Sequence, residues 1–393
     1  MRKFLRLAVR KVARRILLSP PDMTGIEQKY IQDAFNQNYI APVGENIDQF
    51  EEELAKYTNS KYAVALSSGT AGLHLALIAI GVVADDLVFC SDFTFAASVN
   101  PIRYVGATPV LIDSEYDSWN MDPELLEKAI LAYQSKGKQA KAVIVTHIYG
   151  NGANMSAILA IAKKYGLKVI EDACESLGTI TKEGMTGTLG DIGVYSFNGN
   201  KIITTSGGGA VVTNNRNYAN QIQYLSTQAK SKVPYYLHEE QGYNYRLSNV
   251  LAGIGRGQLQ SLEDKIKRTE AIYQTYREMF AGIEGLAMIP TSPTDQRPNR
   301  WLSAFTHPTM NPFGLIEFLD SKNIESRALW NPLHKQPYLI QAQTDFFYQE
   351  DRKHRPVSEQ LFQQGICLPS GSSLTELEQE YVLSCVKSYF MGR

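Results

Sequence analysis

Three short stretches of this chain carry side chains able to do covalent or proton-transfer chemistry. The first is Lys201, in Tyr195-Ser196-Phe197-Asn198-Gly199-Asn200-Lys201, followed at once by Ile202-Ile203-Thr204-Thr205 and the glycine run Gly207–Gly209. A lysine set among neutral residues and held in a partly dry pocket loses affinity for its proton, and a neutral amine attacks carbonyl carbons. A lone lysine on a solvated surface is the plainer alternative. The second stretch is Glu171-Asp172-Ala173-Cys174-Glu175-Ser176, an acidic cluster directly after an apolar run. A carboxylate there can face a cation or a protonated ring nitrogen, or simply cap the next segment. The third, Ser67-Ser68-Gly69-Thr70, offers hydroxyls, a glycine and the free N–H groups of a helix start, which together suit a phosphate. It also reads as an ordinary N-cap turn, and it lacks the spacing of a P-loop or a dinucleotide fingerprint.

The elements around these stretches set where they meet. Tyr62–Leu66 reads as a strand, followed by a helix through Leu73, Leu77 and Ile80. Strands are expected at Leu87–Cys90, Pro109–Ile112, Ala142–Thr146 and Leu167–Glu171, with helices over Phe95–Val105, from Asp122-Pro123 onward and over Met155–Tyr165. Apolar strands alternating with helices predict an α/β fold, with a mainly parallel sheet between helices. Asp191–Thr213 changes to strand–turn–strand, and one long helical stretch runs from Ser248 to Ile283. In such sheets ligands bind beyond the carboxyl ends of the strands, where all three stretches fall. A phosphate cradle, a later carboxylate and a later lysine are the three handles that pyridoxal 5'-phosphate needs. The expected layout is a basic extension over 1–15, a large cofactor-binding domain over 16–264 and a smaller α+β domain over 265–393, to which residues 16–44 contribute.

Composition removes other classes. A formal net charge of −1 gives no global pull toward nucleic acid. Cys90, Cys174, Cys367 and Cys385 lie far apart, with no metal spacing, which predicts a reducing, cytoplasmic setting and no metal site. Met1–Leu18 carries Arg2, Lys3, Arg6, Arg10, Lys11, Arg14 and Arg15 with no acidic residue. With Phe4, Leu5, Val9, Val12 and Ile16 near one helical face, this arm suits weak contact with an anionic membrane surface, or serves as a solvated extension.

The order of these motifs, together with SFNGNKIITTSGGG (Ser196–Gly209), GYNYRLSN (Gly242–Asn249), NRWLS (Asn299–Ser303) and GICLPSG (Gly365–Gly371), resembles the fold-type I, pyridoxal-phosphate-dependent sugar-nucleotide aminotransferases over nearly the whole chain. The wording is most similar to the branch that makes UDP-4-amino-4,6-dideoxy-N-acetylglucosamine, as in bacillosamine synthesis. The resemblance implies L-glutamate as amino donor, a UDP-linked 4-keto sugar as acceptor and a homodimer. It implies Lys201 as the lysine that bonds the cofactor and shuttles protons, and Asp172 as partner of the pyridine nitrogen. Glu175 would sit near the phenolic oxygen, where many relatives have glutamine. Gly69, Thr70 and Ser196 would hold the phosphate, Phe95 would stack on the ring, and Asn249 would reach the phosphate from the partner subunit. Arg246, Arg327 and His334 match places near the sugar-nucleotide cleft, with structural ion pairs as the alternative. Lysine at 201 separates the chain from relatives that deoxygenate sugars with histidine there. Two other outcomes stay open: a non-catalytic scaffold and an aminotransferase of amino acids alone.

Overall fold

The computed structural model describes residues 14–349 and 355–391. Most of the basic arm lies outside the described residues. Its strands are β1 (Tyr62–Leu66), β2 (Leu87–Ser91), β3 (Thr108–Ile112), β4 (Ala140–Thr146), β5 (Lys168–Asp172), β6 (Ile180–Thr181), β7 (Ile192–Ser196) and β8 (Gly209–Thr213), then β9 (Ala287–Met288), β10 (Asp295–Arg297), β11 (Ser303–Thr306), β12 (Arg327–Ala328), β13 (Asp345–Phe347) and β14 (Gly365–Leu368).

Eight strands form the main sheet in the order β1-β8-β7-β5-β4-β2-β3-β13. From β7 outward to β13 every neighbour is parallel, whereas β8 runs antiparallel to both β7 and β1. The expected mainly parallel α/β sheet is therefore observed. Its parallel strands are apolar on both faces because helices cover both sides. Gly69–Ala79 is buried nearly throughout, and it can be so only because its sequence is apolar on every side. Since β8 is antiparallel to both β1 and β7, those two point the same way, and the carboxyl ends of β1, β4, β5 and β7 and the start of β8 share one edge. Register confirms the alignment: Thr146 pairs with Asp172, Asp172 with Val194, and Ser196 with Gly209.

A second, antiparallel sheet has the order β12-β14-β11-β9. Leu315, Leu319, Val382 and Val386 pack on it together with Tyr276 and Phe280 from the helix Leu262–Phe280. The early chain joins this unit, because Ile16 bridges Ile324 and Ser370 donates its N–H to the Leu18 carbonyl. β13 goes the other way: although late in the chain, it adds to the far edge of the main sheet beside β3.

Two helices differ from the sequence expectation. The stretch expected to be helical over Phe95–Val105 is helical only over Asn100–Tyr104. Pro101 sits in its first turn, where the missing N–H costs nothing, and residues 96–99 stay as turns. The long run from Ser248 breaks into Asn249–Gln260 and Leu262–Phe280. At the break, the Ser261 hydroxyl donates to the Gln258 carbonyl, a local bond that competes with helix continuation.

Candidate active site

A cavity of about 500 Å³ opens at the shared sheet edge. Ser68, Gly69, Thr70, Phe95, Asp172, Glu175, Ser196, Lys201 and Arg327 line it, along with Cys174, Trp301 and Trp330. Three sequence stretches that are far apart along the chain thus meet in one place.

The turn after β1 is both a cap and a cradle. Ser68 caps the helix by accepting from the Ala71 N–H at 3.0 Å, which leaves the N–H groups of Gly69 and Thr70 at the helix start on the cavity wall. Glycine is required here by space. A Cβ on Gly209 would lie 2.4 Å from the Ser68 carbonyl carbon and 2.5 Å from the Gly69 nitrogen, and one on Gly69 would lie 2.6 Å from Cys174 Sγ. The backbone of β8 therefore closes directly on the turn, forming an anion site from N–H groups and a helix terminus.

Asp172 ends β5 and is buried. Its Oδ2 accepts from Ser98 Oγ at 2.6 Å, and its Oδ1 from the Cys174 N–H at 3.3 Å. Ser98 is itself bonded to Thr94, and Thr94 accepts from Thr146 at 3.2 Å, so a chain of hydroxyls fixes the carboxylate. Glu175 follows one turn later. Its Oε2 accepts from the Tyr149 N–H at 2.8 Å, and its Oε1 lies 3.7 Å from Lys201 Nζ. Burial raises the Glu175 pKa from its ordinary value, with the Lys201 charge and the Tyr149 N–H opposing it. Burial and the Asp172 charge push the neighbouring Cys174 thiol up, so it stays protonated.

Lys201 sits on a turn in which its N–H donates to the Asn198 carbonyl. The turn is clamped from outside: Ser19 Oγ and Trp301 Nε1 both donate to the Asn200 carbonyl, at 2.9 and 2.6 Å. The lysine side chain is only 13% exposed, and its amine stands 3.9 Å from the centre of the Trp301 ring. Phe95 is half exposed at the cavity and tilts against Trp330, their ring centres 5.3 Å apart. The Trp330 indole N–H is buried and without a partner among the described residues.

The remaining expected residues divide. Arg327 lines the cavity, exposed, with Glu325 at 3.6 Å. Arg246 does not line it; the guanidinium is bonded to both oxygens of Glu51 and to the Ala65 carbonyl. His334 also lies outside, with Nδ1 at 2.8 Å from Asp92, Nε2 at 3.0 Å from Glu359 and its ring stacked on Phe346 of β13. For both, the structural ion pair is the arrangement seen. Asn249 is buried away from the cavity. It accepts from the Asn46 N–H at 3.0 Å and donates to the Tyr39 carbonyl at 3.0 Å, tying its helix to the one beginning at Glu45. Trp301, Trp330 and Ser98 had no role in the sequence reading. Trp301 falls within the motif NRWLS, but nothing local ties it to a lysine a hundred positions earlier.

A buried amine beside a carboxylate, a second carboxylate held by hydroxyls and a glycine-tight anion cradle define a fold-type I pyridoxal-phosphate site. The residues present fit that cofactor, because a side chain at Gly69 or Gly209 would close the turn whose N–H groups suit its phosphate. Comparison with known proteins gives the class a family. The chain belongs to the DegT/DnrJ/EryC1/StrS aminotransferase family, whose model matches residues 21–387. It is similar to EpsN of Bacillus subtilis (strain 168), a protein provisionally assigned as a pyridoxal phosphate-dependent aminotransferase. The two are 45% identical over 378 residues, 96% of each chain. It is 34% identical to the GDP-perosamine synthase of Escherichia coli O157:H7, covering 95% of this chain and 98% of that one. Among solved structures, a DegT DnrJ EryC1 StrS aminotransferase from Brucella abortus superposes with a TM-score of 0.85 at 28% identity, over 93% of this chain and 95% of that one. The protein is therefore a pyridoxal-phosphate-dependent sugar aminotransferase.

Proposed function

We propose that the chain moves the amino group of L-glutamate to the C4 keto carbon of a UDP-linked 4-keto-6-deoxy-N-acetylhexosamine, acting as a homodimer in nucleotide-amino-sugar biosynthesis. Glutamate leaves as 2-oxoglutarate, and the keto oxygen is exchanged for an amine. The observation that carries this reading is the meeting of Lys201, Asp172 and the Gly69–Thr70 turn in one cavity. When bound, pyridoxal phosphate supplies an aldehyde carbon for the amine and a ring that spreads the electron pair of a deprotonated carbon.

The chain's own residues do the rest. Gly69, Thr70 and Ser196 hold the phosphate at the helix start. Asp172, held in place by the Ser98 hydroxyl, would pair with the ring nitrogen of the cofactor, and Phe95 would cover a ring face. Glu175, 3.7 Å from the lysine amine, would lie near the phenolic oxygen. Lys201 Nζ would serve as the base that takes the proton from the amine-bearing carbon of the donor. Arg327, exposed at the cavity, offers a guanidinium to the diphosphate of the sugar nucleotide. Asn249 is assigned to the dimer: its helix borders the residues at 39–47, where Tyr39, Ile40 and Val43 are exposed. Its reach to a partner's phosphate requires it to exchange the bond to Tyr39.

A GDP-linked 4-keto sugar is the second reading, favoured by the similarity to GDP-perosamine synthase. The test is a panel of UDP-, dTDP- and GDP-linked 4-keto-6-deoxy sugars with glutamate, with NMR of the product. The highest kcat/KM is expected with the UDP-linked N-acetyl sugar. Preference for the GDP-linked sugar replaces the first reading with the second, and turnover of amino-acid pairs alone overturns both.

A further inference from the structure

Lys201 is held by more than its carboxylate neighbour. Trp301 is 1% exposed, and its ring faces the lysine amine at 3.9 Å, well inside the range of a cation–π contact. The same indole donates its N–H to the carbonyl of Asn200, the residue before Lys201. One side chain therefore holds the lysine twice, by the backbone of its turn and by its charged tip. Trp301 is in turn fixed. Its backbone N–H donates to Asn299 Oδ1 at 2.9 Å, and its ring stacks on Tyr149 at 6.4 Å and 26°. Tyr149 also donates its own backbone N–H to Glu175, the carboxylate 3.7 Å from the amine. Tyr149 adopts a left-handed backbone, φ +52°, which a bulky residue takes only where the surroundings demand it. One strained residue thus backs both partners of the lysine.

From this geometry we propose that Trp301 is a positioning residue for Lys201. When the amine is not bonded to the cofactor, the indole face holds it beside Glu175, within reach of the reacting carbon. The contact belongs to the free-lysine interval of each half-reaction, when an unrestrained four-carbon stem would otherwise swing away. The inference rests on Lys201 being the reacting lysine. The other polar groups facing this amine are Glu175 and Cys174, with Asp172 and Arg327 elsewhere on the cavity wall and Asp22 lining the small space behind Lys201 and Trp301. None of them supplies an aromatic face.

The test compares Trp301→Leu with Trp301→Phe, because both open space but only the leucine removes the aromatic face. In cofactor-free protein at neutral pH, acetic anhydride labelling of Lys201, read by peptide mass spectrometry against the other lysines, should speed up roughly tenfold in Trp301→Leu and stay within about threefold of wild type in Trp301→Phe. Equal acceleration in both variants, or none in either, overturns the proposal. Should Trp301→Leu fail to fold, amide exchange over residues 198–203 in Trp301→Phe decides: faster exchange, from the lost bond to Asn200, is expected, and unchanged exchange refutes the clamp. A Lys201→Ala protein that still turns over the sugar would instead sink the reading of Lys201, a result distinguishable from failure of the Trp301 contact.

Discussion

Glu171 and Asp172 are consecutive on β5, both carboxylates and both buried, yet they face opposite sides of the sheet and live in opposite conditions. Glu171 is saturated. Its Oε1 accepts from the N–H groups of Leu189 and Gly190 at 2.6 Å each, and its Oε2 from Gly187 at 2.7 Å and from His147 Nε2 at 2.9 Å. His147 Nδ1 accepts from the Ala153 N–H, so the ring proton sits on Nε2 and points at the glutamate. Asp172 has one hydroxyl and one longer N–H contact, and otherwise looks into the cavity. The first carboxylate organises the loop that brings β7 beside β5. The second is held still with accepting capacity left for a ligand. Burial alone does not distinguish structure from chemistry; the number of donors already spent on each oxygen does.

That contrast is open to breakage by exchanging one carboxylate at a time. Asp172→Asn keeps the acceptor for Ser98 and should leave the unfolding free energy within about 1 kcal/mol of wild type while lowering kcat by about 10²–10³-fold. Steady-state kinetics and urea unfolding of the same preparation check both halves; normal turnover would remove Asp172 from the site. Glu171→Gln should do the reverse. An amide cannot accept at both ends, so buried N–H groups of the 187–190 loop lose their partner at a cost on the order of 3 kcal/mol. Activity per folded molecule should change far less than in Asp172→Asn. A stable Glu171→Gln protein would contradict the saturation argument.

A smaller effect sharpens the same comparison at the far edge of the sheet. Burial works against the charged form of His334, but the hydrogen bonds and charges of Asp92 and Glu359 outweigh it and raise its pKa. A group whose folded pKa exceeds its unfolded one contributes stability that is fully present below the unfolded value, about 6.5. That contribution is lost as pH rises through the folded value. Wild type should therefore lose stability across this alkaline window, and His334→Gln should show a flatter profile there by chemical denaturation. An identical slope in both would mean that the histidine is not charged in the folded state.

Much of this was readable in one dimension. The capped turn Ser68-Gly69-Thr70, the carboxylates after an apolar strand and the lysine before a glycine run each announce themselves by local chemistry, and parallel-sheet logic alone brings them to one edge. What escaped depends on distant contacts. β13 joins the main sheet because Asp92 accepts from His334 and Ser358, and Asp113 from the N–H groups of Val357 and Ser358. No periodicity near residue 345 encodes that. Arg246 and His334 carry the residue types of ligand binders, and only their partners show that Glu51, Asp92 and Glu359 already use them. The break at Ser261 lacks the proline or glycine that would mark it.

The central claim is a bond between Lys201 Nζ and the cofactor's aldehyde carbon in a cavity governed by Asp172. Borohydride reduction of the holoenzyme followed by peptide mapping tests it directly. The account expects the reduced cofactor on the peptide containing Lys201, and no label in Lys201→Ala. Label on a different lysine in wild type, or none with the cofactor demonstrably bound, would contradict it.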